Sequence, residues 1–238
     1  MARRLDRIRG VGFDLDYTLW DQDAFFTTFF RAVAGEFGRR LGCGPGGFVR
    51  AGDAALAQLT PAHPRLFDRI LAQVGAWQPR LVAELVDLYR RHRPAMAPYP
   101  GARPTLDRLR AGGYRLFLVT DGHAPTQRYK VEALGLAPCF DALVYTGELP
   151  DEQQKPSPEP FRLACRQLDL RAEHCLYVGD RPATDVPGAR SLGMVTAGVA
   201  TGPFARSSAS QGPAPHLRLD ALEDLADLLA GDLAGSAP

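Results

Sequence analysis

Asp14 and Asp16 stand two residues apart in the run FDLDYTL, at the end of a short apolar stretch from Val11 to Leu15. An extended backbone sends residues i and i+2 to the same side, so the two carboxylates would face one site. A carboxylate at the end of a buried strand can act as a nucleophile and carry a phosphoryl group, which splits one difficult displacement into two easier ones. A second carboxyl can protonate the leaving alcohol and then activate water. Taken alone, the pair fits a pair of helix-capping aspartates equally well.

Three further segments bear on that choice. In LVTDG, Thr120 and Asp121 end a second apolar run, and Gly122 would let backbone amides approach a phosphate at the next helix start, with His123 directly after it. In QKPSPEPF, the prolines flanking Ser157 fix a loop ahead of a helix beginning near Glu159, and the Lys155 ammonium held there can neutralise a nucleophile and the transferring phosphoryl oxygens. In YVGDRPATDVPGAR an apolar run delivers Asp180 after a glycine, with Asp185 five residues on. Magnesium takes octahedral oxygen ligands from one or two carboxylates, water and phosphate, which suits Asp14 and Asp180. Each segment alone has a plainer reading as a turn, a solvated lysine or a helix cap.

The elements that must position these residues follow from hydrophobic periodicity. Short runs at 11–15, 114–120, 142–145, 175–179 and 194–197 read as strands alternating with helices from Pro100 onward. Such alternation predicts an α/β fold with a Rossmann-like parallel sheet and helices on both faces. Between about Asp21 and Pro98 the pattern is helical throughout. Phe25, Phe26, Phe29, Phe30, Val33, Phe37 and Leu41 form one stripe, 66–74 a second, and 81–89 after Pro79 a third. The stretches 42–47 and 60–64 are breaker-rich and read as connections, and 201–215 reads as a long loop before a terminal helix near 220–230. The expected organisation is a core of 1–20 and 99–238 with an inserted all-helical domain at 21–98. Trp20 marks the crossing from one to the other.

The chain has 238 residues, enough for one α/β core and a smaller inserted module. A formal net charge of +1 supplies no field to attract a nucleic acid or an anionic membrane, and no apolar run approaches the length of a membrane span. The start MARRLDRIRG lacks the apolar stretch of a signal peptide, and Cys43, Cys139, Cys165 and Cys175 form no C-x-x-C pair. Reduced, mostly buried thiols and a cytoplasmic location are expected.

Through FDLDYTL, LVTDG, QKPSPEP and VGDRPATD in that order, the sequence resembles the haloacid dehalogenase superfamily over Val11–Trp20 and from Pro100 to about Gly202. The resemblance implies that Asp14 is the nucleophile and Asp16 the general acid and base. It implies magnesium held by Asp14, the backbone carbonyl of Asp16 and Asp180, with Asp185 supporting the metal through water or by orienting Lys155. Thr120 and Lys155 would hold the phosphoryl group, beside Asp121, Gly122 and His123. The insert looks like the helical cap of one subgroup, in which His63, Arg65, Arg90, Arg91, His92 and Arg93 can meet an anionic substrate.

The implied activity is magnesium-dependent hydrolysis of a small phosphorylated metabolite of the phosphoglycolate, nucleotide or sugar phosphate class. A phosphomutase acting on a sugar phosphate would use the same aspartates. A 2-haloacid dehalogenase is disfavoured, because family members of that type keep no equivalent of Asp16. A non-catalytic binding module would have been supported by the loss of a motif residue, and none is lost.

Overall fold

The structure is a computed structural model, which describes residues 2–59, 63–202 and 212–231. Six parallel strands form one sheet: β1 (Gly10–Phe13), β2 (Arg115–Thr120), β3 (Ala142–Tyr145), β4 (Cys175–Gly179), β5 (Val195–Val199) and β6 (Leu217–Leu219). Their spatial order is β3-β2-β1-β4-β5-β6. The chain runs outward from β1 to β3 and then returns to the other side of β1 as β4. The order therefore reverses between β1 and β4, and open α/β sheets bind ligands outside the carboxyl ends of strands at such a point.

Leu116, Phe117, Leu118 and Val119 are all fully buried although successive residues point to opposite faces, so β2 is covered on both. The covering helices are α6 (Ala102–Ala111), α7 (Ala124–Ala133), α8 (Glu159–Leu168), α9 (Pro182–Asp185), α10 (Pro187–Ser191) and α11 (Asp224–Ala230), and a short α1 (Ala2–Leu5) precedes β1. Phe161, Ala164, Cys165 and Leu168 of α8 pack with Phe117, Val119, Ala142, Val144 and Tyr177 of the sheet. Cys139, Cys165 and Cys175 are buried thiols, Cys43 is half-buried, and none is in a disulfide.

The chain divides into two compact units, 1–21 with 97–238, and 22–96. The second holds α2 (Gln22–Arg40), α3 (Gly44–Gln58), α4 (Leu66–Gln73) and α5 (Pro79–Arg91). Its core is a phenylalanine cluster, Phe26, Phe29, Phe30, Phe37 and Phe48, joined by Leu66, Ile70, Leu71 and Leu85. Among the described residues no helix is long and apolar enough to cross a membrane.

The structure corrects several local expectations. The glycine-rich connection expected over 42–47 ends early, because α3 starts at Gly44 with Pro45 in its first turn. Proline there has a helical φ and its missing N–H is one the helix start leaves unpaired anyway, so a breaker residue opens the helix. Residues 60–62 of the second connection and 203–211 of the long loop lie outside the described residues. Edge strand β6 is only Leu-Arg-Leu, too short to show a period, and it delays the last helix until Asp224, whose Oδ2 accepts the Ala221 N–H at 2.9 Å. The first strand ends at Phe13 and not at Leu15.

That last difference matters for the paired aspartates. Asp14 still donates its N–H to Val178 of β4 at 2.8 Å, whereas Asp16 lies in a tight turn followed by Tyr17 in the left-handed region at φ 61°. Tyr17 N–H donates to the Trp20 carbonyl at 3.0 Å and closes the turn. The two carboxylates accept from different donors, Asp14 from Lys155 and Asp16 from Lys130, Gln127 and Trp20.

Candidate active site

Asp14 follows β1 and Asp180 follows β4, so the two adjacent strands at the switch point deliver these carboxyl groups side by side. Asp185 is brought back to them by the short helix α9, where its Oδ2 accepts the Arg181 N–H at 2.9 Å. Gly179 is required beneath it, since a Cβ there would collide with the Asp185 carboxylate. One carboxylate oxygen each from Asp14, Asp180 and Asp185 lie within 4.8 Å of one another, and all three residues are buried.

Lys155 is the cation in this cluster. Its Nζ donates to Asp14 Oδ1 at 2.7 Å, to Asp185 Oδ1 at 2.8 Å and to the Tyr177 hydroxyl at 3.3 Å, which uses all three ammonium hydrogens. Tyr177 in turn donates to the Val119 carbonyl at 2.8 Å. Burial acts to lower the Lys155 value, but Asp14 and then Asp185 overcome it and raise it well above the usual lysine range. Burial pushes Asp14 up to about 7, with Lys155 opposing and Asp185 reinforcing the rise. Asp180 is raised well above the carboxylate range by burial, then by Asp14 and Asp185. Burial is the leading cause for both carboxyl groups, and the Lys155 ammonium, with Arg181 acting on Asp180, offsets it only in part.

Both carboxylate oxygens of Asp180 are buried without a hydrogen-bond partner among the described residues. A buried carboxylate left so is costly unless a cation pairs with it. The donor set is all oxygen, it carries two more negative charges than positive ones when ionised, and its spacing is that of ligands around one small ion. It fits a hard divalent cation such as magnesium.

The other expected residues line the same end of the sheet. Thr120 closes β2, and its Oγ1 accepts from Gln127 Nε2 at 2.7 Å. Asp121 Oδ1 accepts from the Thr146 hydroxyl at 2.6 Å. Gly122 has φ 114°, which a side-chain-bearing residue rarely adopts. His123 is exposed at the start of α7, with Nδ1 3.0 Å from Thr126 Oγ1.

Asp16 stands apart from the carboxylate cluster. Its Oδ1 accepts from Lys130 Nζ and Trp20 Nε1, each at 2.8 Å, and its Oδ2 from Lys130 Nζ at 2.9 Å and Gln127 Nε2 at 3.0 Å. Lys130, Gln127 and Tyr177 are absent from the sequence-based site. Their signal is a polar residue at an inward helix or strand position: α7 buries Gln127 and Lys130 along with Ala124 and Val131.

Within the helical unit, His63 and Arg65 line an open pocket of about 760 Å³ with Arg69 and Trp77. The basic residues at the end of α5 have local partners, Arg91 with Asp87 at 2.5 Å and His92 Nε2 with Thr28 Oγ1 at 3.0 Å.

The family model for haloacid dehalogenase-like hydrolases matches residues 8–193, and the chain belongs to that family. Among relatives, a glyceraldehyde 3-phosphate phosphatase of Methanopyrus kandleri is 36% identical over 170 residues, covering 70% of this chain and 72% of its own length. A glyceraldehyde 3-phosphate phosphatase of Methanocaldococcus jannaschii is 30% identical over 200 residues, covering 83% and 87%. A phosphatase structure from Thermococcus onnurineus shares the fold with a TM-score of 0.64 at 23% identity, over 94% of this chain and 99% of that one. The protein is an enzyme of the phosphoric monoester hydrolase class.

Proposed function

We propose that the protein hydrolyses a small phosphate monoester with magnesium bound, through an aspartyl-phosphate on Asp14. The observation that carries this reading is the buried group of Asp14, Asp180 and Asp185 sharing one ammonium, with the Asp180 carboxylate unpartnered. Asp14, Asp180 and the Asp16 backbone carbonyl would hold the ion, with Asp185 holding Lys155 in place. When bound, magnesium supplies positive charge beside the phosphoryl oxygens.

Asp14 attacks phosphorus, the bond to the alcohol oxygen breaks, and the carboxyl of Asp16 gives its proton to that oxygen. A water then attacks the same phosphorus and passes its proton to Asp16, the Asp14–phosphorus bond breaks, and inorganic phosphate leaves. Lys155 and Thr120 steady the phosphoryl oxygens, with Gly122 letting backbone approach and with Asp121 and His123 beside them. The helical unit 22–96, which lies in sequence between the first two motifs, acts as a cap that contacts substrate and excludes water.

The glyceraldehyde 3-phosphate phosphatases among the relatives support a substrate of the small sugar phosphate kind. Phosphate release from a panel of monoesters, including a triose phosphate, phosphoglycolate and a nucleoside monophosphate, is the test. Turnover with magnesium and none in excess chelator is expected. Full activity in excess chelator, or release from no ester, would contradict the proposal.

A further inference from the structure

We infer that Lys130 and Gln127 are positioning residues that hold the acid–base carboxyl of Asp16, a role that rests on the phosphatase reading above. Lys130 is 1% exposed and Gln127 is 2% exposed, whereas the Asp16 side chain keeps 18% exposure. A lysine ammonium is almost never buried so fully unless a carboxylate compensates it. The carboxylate it meets belongs to the first motif, 114 residues away in the chain.

The geometry is a clamp. A carboxylate accepts about four hydrogen bonds, and Asp16 receives four: two from Lys130, one from Gln127 and one from the Trp20 indole. Gln127 and Lys130 lie three residues apart on α7, so one helix face presents both side chains. Gln127 Nε2 also donates to Thr120 Oγ1, which ties the acid–base residue to the end of β2. The Lys130 ammonium further lies 5.4 Å from the Trp20 ring centre, so the tight turn after Asp16 is gripped at both ends.

Asp16 lies beyond the end of β1, outside the sheet ladder, and bridges to Trp20 within its own turn, and a reacting group displaced by about 1 Å can lose about 10²-fold in rate. The clamp fixes its side chain. The four bonds are those of the ionised carboxylate; when Asp16 carries the proton that it gives to the leaving-group oxygen, one oxygen becomes an O–H donor and one clamp bond is exchanged for that contact. Lys130 acts through Asp16, to which it donates.

The test uses the full-length protein with Lys130→Met, Lys130→Arg and the milder Gln127→Leu. With an alkyl phosphate, whose departure needs a proton, kcat/KM of Lys130→Met, which reports phosphoryl transfer to Asp14 and not the later hydrolysis common to all esters, should fall about 10- to 100-fold. With p-nitrophenyl phosphate the loss in kcat/KM should be much smaller. Gln127→Leu should show the same leaving-group bias more weakly, and Lys130→Arg should recover part of the loss. Adding Lys130→Met to Asp16→Asn should bring no further loss.

Equal losses of kcat/KM on both substrates, or a further loss in the Asp16→Asn background, would overturn the inference. The clamp also has a readout that needs no turnover. In a Trp77→Phe background the one remaining indole N–H resonance is that of Trp20, and Lys130→Met should shift it as the Asp16 carboxylate moves. An unshifted resonance overturns the clamp whatever the activity. A shifted resonance in a protein that hydrolyses no ester counts against the phosphatase reading alone.

Discussion

Lys155 Nζ and Asp14 Oδ1 lie 2.7 Å apart, both side chains buried, although 141 residues of chain separate them. The same ammonium reaches Asp185 at 2.8 Å, so one loop lysine joins the first motif to the last. Breaking such a pair by removing one partner leaves uncompensated charge in a dry place.

Lys155→Met should therefore lower the unfolding free energy of the metal-free protein by about 3–5 kcal/mol, read by urea denaturation. Phosphate release with magnesium should fall by about 10²–10³-fold. An unchanged denaturation midpoint would show that the buried ammonium compensates nothing.

Asp180 should behave in the opposite sense. Its carboxylate oxygens have no hydrogen-bond partner among the described residues, and burial with the Asp14 and Asp185 charges outweighs the opposing Arg181 and Lys155. Asp180→Asn should raise the stability of the metal-free protein by about 0.5–2 kcal/mol while abolishing turnover, a site residue that destabilises the fold it serves. Magnesium should raise the melting temperature of the wild type and leave that of Asp180→Asn unchanged, as follows when a ligand binds only the folded state. A larger metal response in the variant would remove Asp180 from the ion site.

The helical unit carries its own titration. His92 is packed edge-on to Phe25 and Phe29 and bonded to Thr28, and burial, then the Arg93 charge, lower its value below the ordinary 6.5. The unfolded chain thus binds the proton more tightly. The stabilisation from neutral His92 is full above about pH 6.5 and is lost as pH falls through the lowered value. Between about pH 7.5 and pH 5, His92→Gln should lose less of its urea midpoint than the wild type. Equal losses would show that His92 does not contribute to the acid sensitivity.

How far the sequence foretold the molecule depends on whether a residue's role is local. The runs at 142–145 and 175–179 become strands with those bounds, since a short apolar run between breakers is itself the signal. Helix α3 was hidden because Gly42 to Gly47 reads as breakers, and only the fit of Pro45 to a helix start turns that segment into one. Asp14, Thr120 and Asp180 stand at or just after strand ends, and Lys155 and Asp185 in a proline-flanked loop and a short helix, so each was a candidate from its local motif. Lys130 and Tyr177 were not, because each gains its partner across the fold: Asp16 for one, Lys155 for the other. Periodicity reports that a position faces inward, and it does not report which charge waits there.

The account turns on Asp14 as the atom that receives phosphorus, and trapping that bond tests it most directly. Asp16→Asn protein is mixed with magnesium and p-nitrophenyl phosphate, quenched, and reduced with borohydride, which converts an aspartyl-phosphate to homoserine. Impairing the acid–base residue slows hydrolysis of the intermediate, so it should accumulate. Peptide mass spectrometry is expected to find homoserine at position 14 and at no other aspartate, and to find none in the Asp14→Asn, Asp16→Asn double variant. Homoserine at another position, or an unmodified Asp14 while nitrophenol is released, would contradict the account.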